Sequence, residues 1–540
     1  MTKKIVTLVL AALLIMAVAV TAMAKEADLT GHTYAAYQIF TGTQAEDSAV
    51  LGDVEWADSV DGAEIIKELV VIDDFKSCTT AKDVADVLAE YKDDSEMAKK
   101  FAKIVYKNIV DGTGIVCESG ETDLDAGYYL VVDTTPESTE PDFVWNLALL
   151  QLTNKGTFEI KNKVSIPDVE KKIVEGGTKS DAVTAEIGKI LPFEFTGTMP
   201  ANISDYDTYY YAFTDTMTKG LTYNGDVAVT VSGKTCTDTF TIDAKVDDKG
   251  VTTLKVSIND IMHILGTDTI TADAKVVVTY TATVNEQALD TTEINKVKLT
   301  YSNKPSDSGN GANSPKGETP EDVVVVYNTG IKVLKTDGTK TLTGAKFSVT
   351  GDSVTVRMIN NEMYVEDTKG TYYRLKDGTY TTTAPTDVTV TSYDNSKTTY
   401  SKVSKLDKEE TKKNITTEGY VDKDGILTVD GIGAGTYTIK ELVAPAGYNL
   451  LTDSIKVVIT CDLPTSVVTG EETCKWSATV DGDAATLNNG IVEVTVINQS
   501  GTELPETGGI GTTIFYTLGS LLLVGAAILL ITRKRMGAND

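Results

Sequence analysis

Short runs in which apolar and polar side chains alternate do most to narrow the possible folds of this chain. In "IVEVTVIN" the residues Val492, Val494, Val496 and Asn498 fall on one side, because successive side chains of a strand point to opposite faces. "VKLTYSN" and "GTYTIKEL" repeat the pattern, with Gly, Asp and Asn as punctuation. Many such runs, rich in Thr, Val and Tyr, are the mark of β-sandwiches. One region has a helical period instead: "TAKDVADVLAEYKDDSEMAKKFAKIVYKNIV", from Thr80 to Val110, broken at Asp93 to Ser95. The expected fold is mainly all-β: tandem immunoglobulin-like β-sandwich domains, the first with inserted helices.

Punctuation in the sequence suggests boundaries. Lys3 and Lys4 precede an apolar run from Ile5 to Val20, and Ala22-Met23-Ala24 supplies small residues for cleavage. Residues 1–24 therefore read as a secretory signal peptide. A first domain is expected over 25–165, and "SIPDVEKKI" opens a second over 166–304. The Pro-, Gly- and Ser-rich stretch that follows is expected as a linker, 305–322. A third domain covers 323–500, with a long polar insertion at about 350–420. Three domains suit a mature length of about 480 residues, too long for one core. In the tail, 501–540, the run Thr513 to Thr532 carries no charge and is followed by Arg533, Lys534 and Arg535. That is the length and flank of a transmembrane segment whose basic end stays in the cytoplasm, leaving the rest of the chain outside.

Composition removes several classes of function. A net charge of -29 disfavours nucleic acid and anionic lipid as partners. The two histidines, His32 and His263, lie far apart, and the five cysteines show no CxxC spacing. A zinc site or a His-dependent catalytic centre is not expected, and neither a metal nor a cofactor is called for. Cys78 with Cys117, and Cys461 with Cys474, can pair in an oxidising exterior, which leaves Cys236 over; sequence alone does not fix the connectivity.

Directly before the apolar run stand Leu504, Pro505, Glu506, Thr507 and Gly508. This "LPETG", followed by a span and a basic tail, resembles the cell-wall sorting signal of Gram-positive surface proteins. The resemblance implies that a sortase attacks the Thr507 carbonyl, releases the Gly508 side and joins Thr507 to an amine. Pro505 holds the motif extended, which suits a protease-like groove.

The third domain resembles the CnaB-type domains of such proteins in "NTGIKVLKTDGTKTLTGAKFSV", "GTYTIKELVAPAGYNL" and "IVEVTVIN". The family's Lys–Asn isopeptide bond then falls to Lys332 and Asn498, with Glu441 as the acid. Strand alternation puts Asn498 in an apolar row and Glu441 with Tyr437 and Ile439. It leaves Lys332 open, because Ile331 and Val333 make the opposite face equally apolar. The second domain resembles the CnaA-type domains of major pilins. There "PDVEKKI" offers Lys171 or Lys172, and alternation with Val169 and Ile173 favours Lys171. "YYYAFTDTMTKGLTY" supplies Asp215, and "EINKVKLTYSN" supplies Asn295 or Asn303, of which the family pattern favours Asn295. The residue types suit the chemistry. Burial disfavours the charged lysine and the charged carboxylate alike, giving a neutral amine beside a protonated acid. Holding these against a carboxamide supplies up to ~7–11 kcal/mol of the barrier to amide formation without an external enzyme.

With "GHTYAAYQIFTGT", "VEWADSV" and "AGYYLVVD" matching the pilin N-terminal domain, nearly the whole chain resembles sortase-assembled backbone pilins of the SpaA/FimA type. That family joins Thr507 of one subunit to a lysine between the first two domains. Here "TFEIKNKVSIPDVEKK" offers Lys161, with Lys163 as the alternative; the family's Tyr-Pro pair is absent. The resemblance implies a non-enzymatic wall-anchored pilus subunit that supports adhesion. Its implied partners are pilin-specific and housekeeping sortases, identical subunits, accessory pilins and peptidoglycan, with a host or matrix glycoprotein as a candidate ligand. A wall-anchored adhesin or a tip or basal pilin is the alternative.

Overall fold

The computed structural model describes residues 25–26, 31–44, 51–92, 95–117, 124–136, 144–145, 147–152, 165–266, 270–272, 274–289, 291–307, 309, 311–351, 355–357, 363–376, 380–386, 393, 398–403, 416–501 and 510–536. The chain divides into two compact units: Met1–Thr329 with Gly431–Ala434 and Thr460–Trp476, and Gly330–Asp430 with Gly435–Ile459 and Ser477–Asp540.

The first unit holds two of the expected domains. In the N-terminal part, Tyr34–Gln44 pairs with Leu51–Trp56 on one side and Gly127–Asp133 on the other, and Leu147–Leu152 continues the sheet. The helices Gly62–Leu69, Ala81–Leu88 and Glu96–Lys107 cover one face. They bury Ile65, Leu69, Val84, Phe101 and Val105 against Ile39, Leu130 and Val132. The expected break before the last helix coincides with its cap, where the Ser95 hydroxyl accepts from the backbone N–H of Ala98.

The second part is a sandwich of two seven-stranded sheets. One contains Val169–Glu175, Ile190–Thr198 and Lys275–Val284; the facing one contains Tyr211–Met217, Thr252–Ile258 and Glu293–Ser302. A single continuous core of Phe, Tyr, Val and Leu side chains fills the space between them. Two ion pairs hold the N-terminal helix Glu96–Lys107 against this part, Lys99 to Asp205 and Lys103 to Asp207, each at 2.8 Å.

The expected linker at 305–322 is not a linker in the structure. Lys316–Glu318 pairs with the end of Glu293–Ser302, and Asp322–Tyr327 pairs antiparallel with the same strand and parallel with Ala182–Thr184. The run Val323 to Val326 is apolar at every position and buried on both faces, as a strand covered on both sides must be. It closes the second domain, and the second unit begins at Gly330.

The second unit pairs two sheets. One runs Thr355–Arg357, Ile426–Ile432, Thr329–Thr336, Ile491–Ile497, Thr486–Asn488; the other includes Lys346–Thr350, Gly435–Val443 and Ile455–Asp462. Its first and last long strands, Thr329–Thr336 and Ile491–Ile497, lie side by side and parallel, with Lys335 opposite Val496. The helix Ile510–Met536 contains the expected membrane segment. Among the described residues it is the one helix long and apolar enough to cross a membrane.

Candidate functional site

Two buried lysines, each beside a carboxyl group and an asparagine, are the chemically distinctive features of the molecule. In the second domain Val169, Lys171 and Ile173 face inward from their strand, and Lys171 is completely buried. Asp215 and Asn295 approach from the opposite sheet, also completely buried. The Lys171 amine donates to Asp215 Oδ2 and, at 3.0 Å, to the hydroxyl of Tyr280. It sits 5.2–5.5 Å from the ring centroids of Phe193, Phe195 and Tyr280. The backbone N–H of Lys171 donates to Asp322, which fixes the strand's position.

The side chains of Lys171, Asp215 and Asn295 are all sealed from the surface. Burial lowers the Lys171 amine from its ordinary range, against the opposing pull of Asp215, and raises the Asp215 carboxyl against the pull of Lys171. Both shifts favour a neutral amine next to a neutral acid. Lys172, the alternative, is half-buried on the outer face and pairs with Asp181 at 2.5 Å and Glu170 at 3.3 Å. Asn303 lies past the end of its strand, its backbone bonded to Pro315 and Trp145.

In the third domain the expected lysine is not the one at the site. Lys332 shares a half-buried row with Leu334, while Ile331, Val333 and Lys335 form the buried row. Lys335 is fully buried. Its amine donates to Asn498 Oδ1 at 2.5 Å and to the Val496 carbonyl at 2.9 Å, and lies 3.6 Å from Glu441 Oε1. Asn498 Nδ2 in turn donates to both Glu441 oxygens, at 3.0 and 2.9 Å. Burial lowers the Lys335 amine, with Glu441 opposing. The correction from Lys332 to Lys335 is one of parity: a strand shift of three residues changes the face. In the sequence Lys335 follows Ile331 and Val333 in one apolar row, but Leu334 makes the row of Lys332 apolar too, so alternation does not separate the two lysines. Glu441 and Asn498, the other two residues singled out in this domain, are the ones Lys335 contacts.

In the third domain the amine contacts the carboxamide directly, beside the acid. In the second the Tyr280 hydroxyl, which accepts from Asn295 Nδ2 at 2.7 Å, stands between amine and carboxamide. Both sites hold the groups needed to make an amide and release ammonia. Tyr280 was not foreseen. It falls in a buried row with Val276, Val278 and Ala282, and nothing in the alternation says which core tyrosine faces the lysine. Lys161, Lys163 and the residues Leu504 to Gly508 lie outside the described residues.

The cysteines divide. Cys78 packs with Ile39, Leu130 and Val132, Cys117 with Tyr34, Ala36, Tyr129 and Val131. These are alternate residues of the same two strands, so a sheet separates the thiols, and the Cys78–Cys117 pairing that the sequence allows is not formed. Cys461 and Cys474 face each other as free thiols joined by a hydrogen bond, which holds Cys474 below and Cys461 above the usual thiol range.

Three family models match the chain: Gram-positive pilin backbone subunit 2, Cna-B-like domain, over 187–305; a prealbumin-like fold domain over 386–473; and the LPXTG cell wall anchor motif over 497–536. The first of these describes as Cna-B-like a domain whose motifs resemble the CnaA type. The trypsin-resistant surface T6 protein of Streptococcus pyogenes serotype M6 is 25% identical over 410 residues, 69% of this chain and 70% of that one. Among solved structures, the T6 backbone pilin of serotype M6 Streptococcus pyogenes aligns with TM-score 0.44 and 16% identity over 89% of this chain and 98% of that one. The major pilin SpaD of Corynebacterium diphtheriae aligns with TM-score 0.42 and 14% identity over 87% and 93%.

Proposed function

From the matches to a Gram-positive pilin backbone domain, a prealbumin-like fold domain and the LPXTG cell wall anchor motif, we propose that this chain is the shaft subunit of a covalent, sortase-assembled pilus. Sortase forms an acyl-enzyme at Thr507 and passes it to Lys161, or to Lys163, of the next subunit. Accessory pilins and peptidoglycan are joined by the same chemistry. Two internal amides, Lys171–Asn295 and Lys335–Asn498, form once per molecule without an external enzyme and reinforce each subunit along the line of pull. The observation that carries this reading is the pairing of buried lysine, acid and asparagine between an early and a late strand in each of two domains. A load entering at one end of such a domain meets a covalent clamp before it can peel strands apart.

The test is the cell surface itself. Wild-type cells are expected to yield a ladder of high-mass species resistant to boiling detergent. A chain carrying Lys161→Ala and Lys163→Ala is expected to reach the wall only as a monomer. A ladder that persists overturns the assignment of the acceptor lysine; its absence from the wild type overturns the shaft assignment.

Cys461 and Cys474 close the loop between Ile455–Asp462 and Lys475–Val480, and in an oxidising exterior they form a disulfide. Closing a loop of roughly 15 residues contributes about 3 kcal/mol. Double replacement by serine is expected to lower the melting temperature by about 10 °C, and the intact protein to weigh about 2 Da less than its reduced form. An unchanged mass on reduction rules the bond out.

A further inference from the structure

We propose that Tyr280 is a catalytic residue for the Lys171–Asn295 bond, carrying the proton that the attacking amine gives to Asp215 onward to the departing ammonia. The proposal rests on the cross-link reading above.

The two sites differ in how the acid reaches the asparagine. Glu441 touches the Asn498 carboxamide directly with both oxygens. Asp215 has one methylene fewer, and among the described residues no hydrogen bond joins it to Asn295. The Tyr280 hydroxyl fills that gap. It donates to Asp215 Oδ1 at 3.0 Å and accepts from Asn295 Nδ2 at 2.7 Å. Lys171, meanwhile, donates to the other oxygen of the same carboxyl, Oδ2. The path is continuous: Lys171 Nζ, Asp215 Oδ2 and Oδ1, Tyr280 Oη, Asn295 Nδ2. It begins on the nucleophile and ends on the leaving group.

The opposite side of the carboxamide supplies no help. Among the described residues no donor reaches the buried Asn295 Oδ1, the oxygen on which negative charge would gather. Expulsion of the nitrogen then depends on delivering a proton to it. Burial pushes the Tyr280 hydroxyl well above the usual phenol range, which keeps it neutral and able both to accept and to donate.

The step balances. Lys171 Nζ bonds to Asn295 Cγ, and the Cγ–Nδ2 bond breaks. With the acid proton on Oδ1, the Tyr280 O–H turns from Oδ1 toward Nδ2, whose lone pair is freed as Cγ becomes tetrahedral. One Nζ proton then moves to Asp215 Oδ2, the Oδ1 proton to Tyr280 Oη, and the Oη proton to Nδ2. Ammonia leaves, and Asp215 and Tyr280 finish as they started. No oxidant or cofactor is needed.

The experiment makes the ectodomain by cell-free translation and follows ammonia loss by intact mass from the moment of synthesis, about 17 Da per bond. Wild type is expected to lose about 34 Da. Tyr280→Phe is expected to form the Lys335–Asn498 bond at the wild-type rate and the Lys171–Asn295 bond about 100-fold more slowly, the scale of a lost general acid. A second variant guards against mere misfolding: 3,5-difluorotyrosine placed at position 280 keeps the ring and hydroxyl but is a stronger acid, and is expected to change the rate of that bond alone. Wild-type kinetics in Tyr280→Phe, or a rate unmoved by fluorination, overturns the proposal. Failure of the wild type to lose ammonia overturns the cross-link reading itself, before any variant is made.

Discussion

The ectodomain carrying Lys335→Ala is expected to keep one ammonia, about 17 Da, that the wild type expels, whereas Lys332→Ala is expected to expel it normally. The two lysines lie three residues apart on one strand, yet only Lys335 points into the core, against Asn498 and Glu441. The stability effect should be as unequal. The cross-link joins positions 163 residues apart, and loop-closure entropy values such a constraint at about 5 kcal/mol. Lys335→Ala also removes a fully buried side chain from the core, a loss of the order of 2 kcal/mol or more. A melting temperature lower by about 15 °C or more follows for that domain. Lys332→Ala should stay within about 0.5 kcal/mol of wild type. The reverse pattern, with ammonia kept by Lys332→Ala and expelled by Lys335→Ala, would return the assignment to the motif and remove it from the geometry.

Asp215→Ala is expected to abolish the second domain's bond and make its stability depend on pH in a way the wild type does not. Without the carboxyl, Lys171 stays an amine sealed among Phe193, Phe195 and Tyr280. Burial already lowers that amine, and Asp215 is the chief group opposing the shift. In the variant the folded state therefore holds the lysine neutral while the unfolded state protonates it. More protons bound in the unfolded state means stability that rises with pH. As the pH rises toward the ordinary lysine value of 10.5 the gain should approach at most about 1.4 kcal/mol per unit. The wild type, whose lysine nitrogen has become an amide, should show no such slope. Urea melts at three pH values decide the matter: a flat profile in Asp215→Ala would mean that water reaches Lys171.

These expectations show where reading the chain by its alternation succeeded and where it could not. Lys171, Asp215 and Glu441 were legible because each interrupts an otherwise apolar row, and a charged residue in such a row has few uses. Asn498 was legible for the same reason, as the fourth member of a valine series. Lys332 was misassigned because its strand is apolar on both faces around Ile331 and Val333, so motif spacing outweighed a parity that was ambiguous locally. The stretch 305–322 looked like a linker because Pro, Gly and Ser dominate it. Its short strand at Lys316–Glu318 exists only because the edge of Glu293–Ser302 is there to pair with.

The sequence by itself determined the β-sandwich architecture, the anchor motif and which residue types stand ready to form an amide, since periodicity and composition are local properties that survive without neighbours. Only the tertiary structure decided that Lys335 meets Asn498, that Tyr280 stands between Asp215 and Asn295, and that a sheet divides Cys78 from Cys117. Each of those facts depends on how two strands distant in sequence are brought face to face, and a contact between sheets is set by packing across the core, for which no single strand carries the information.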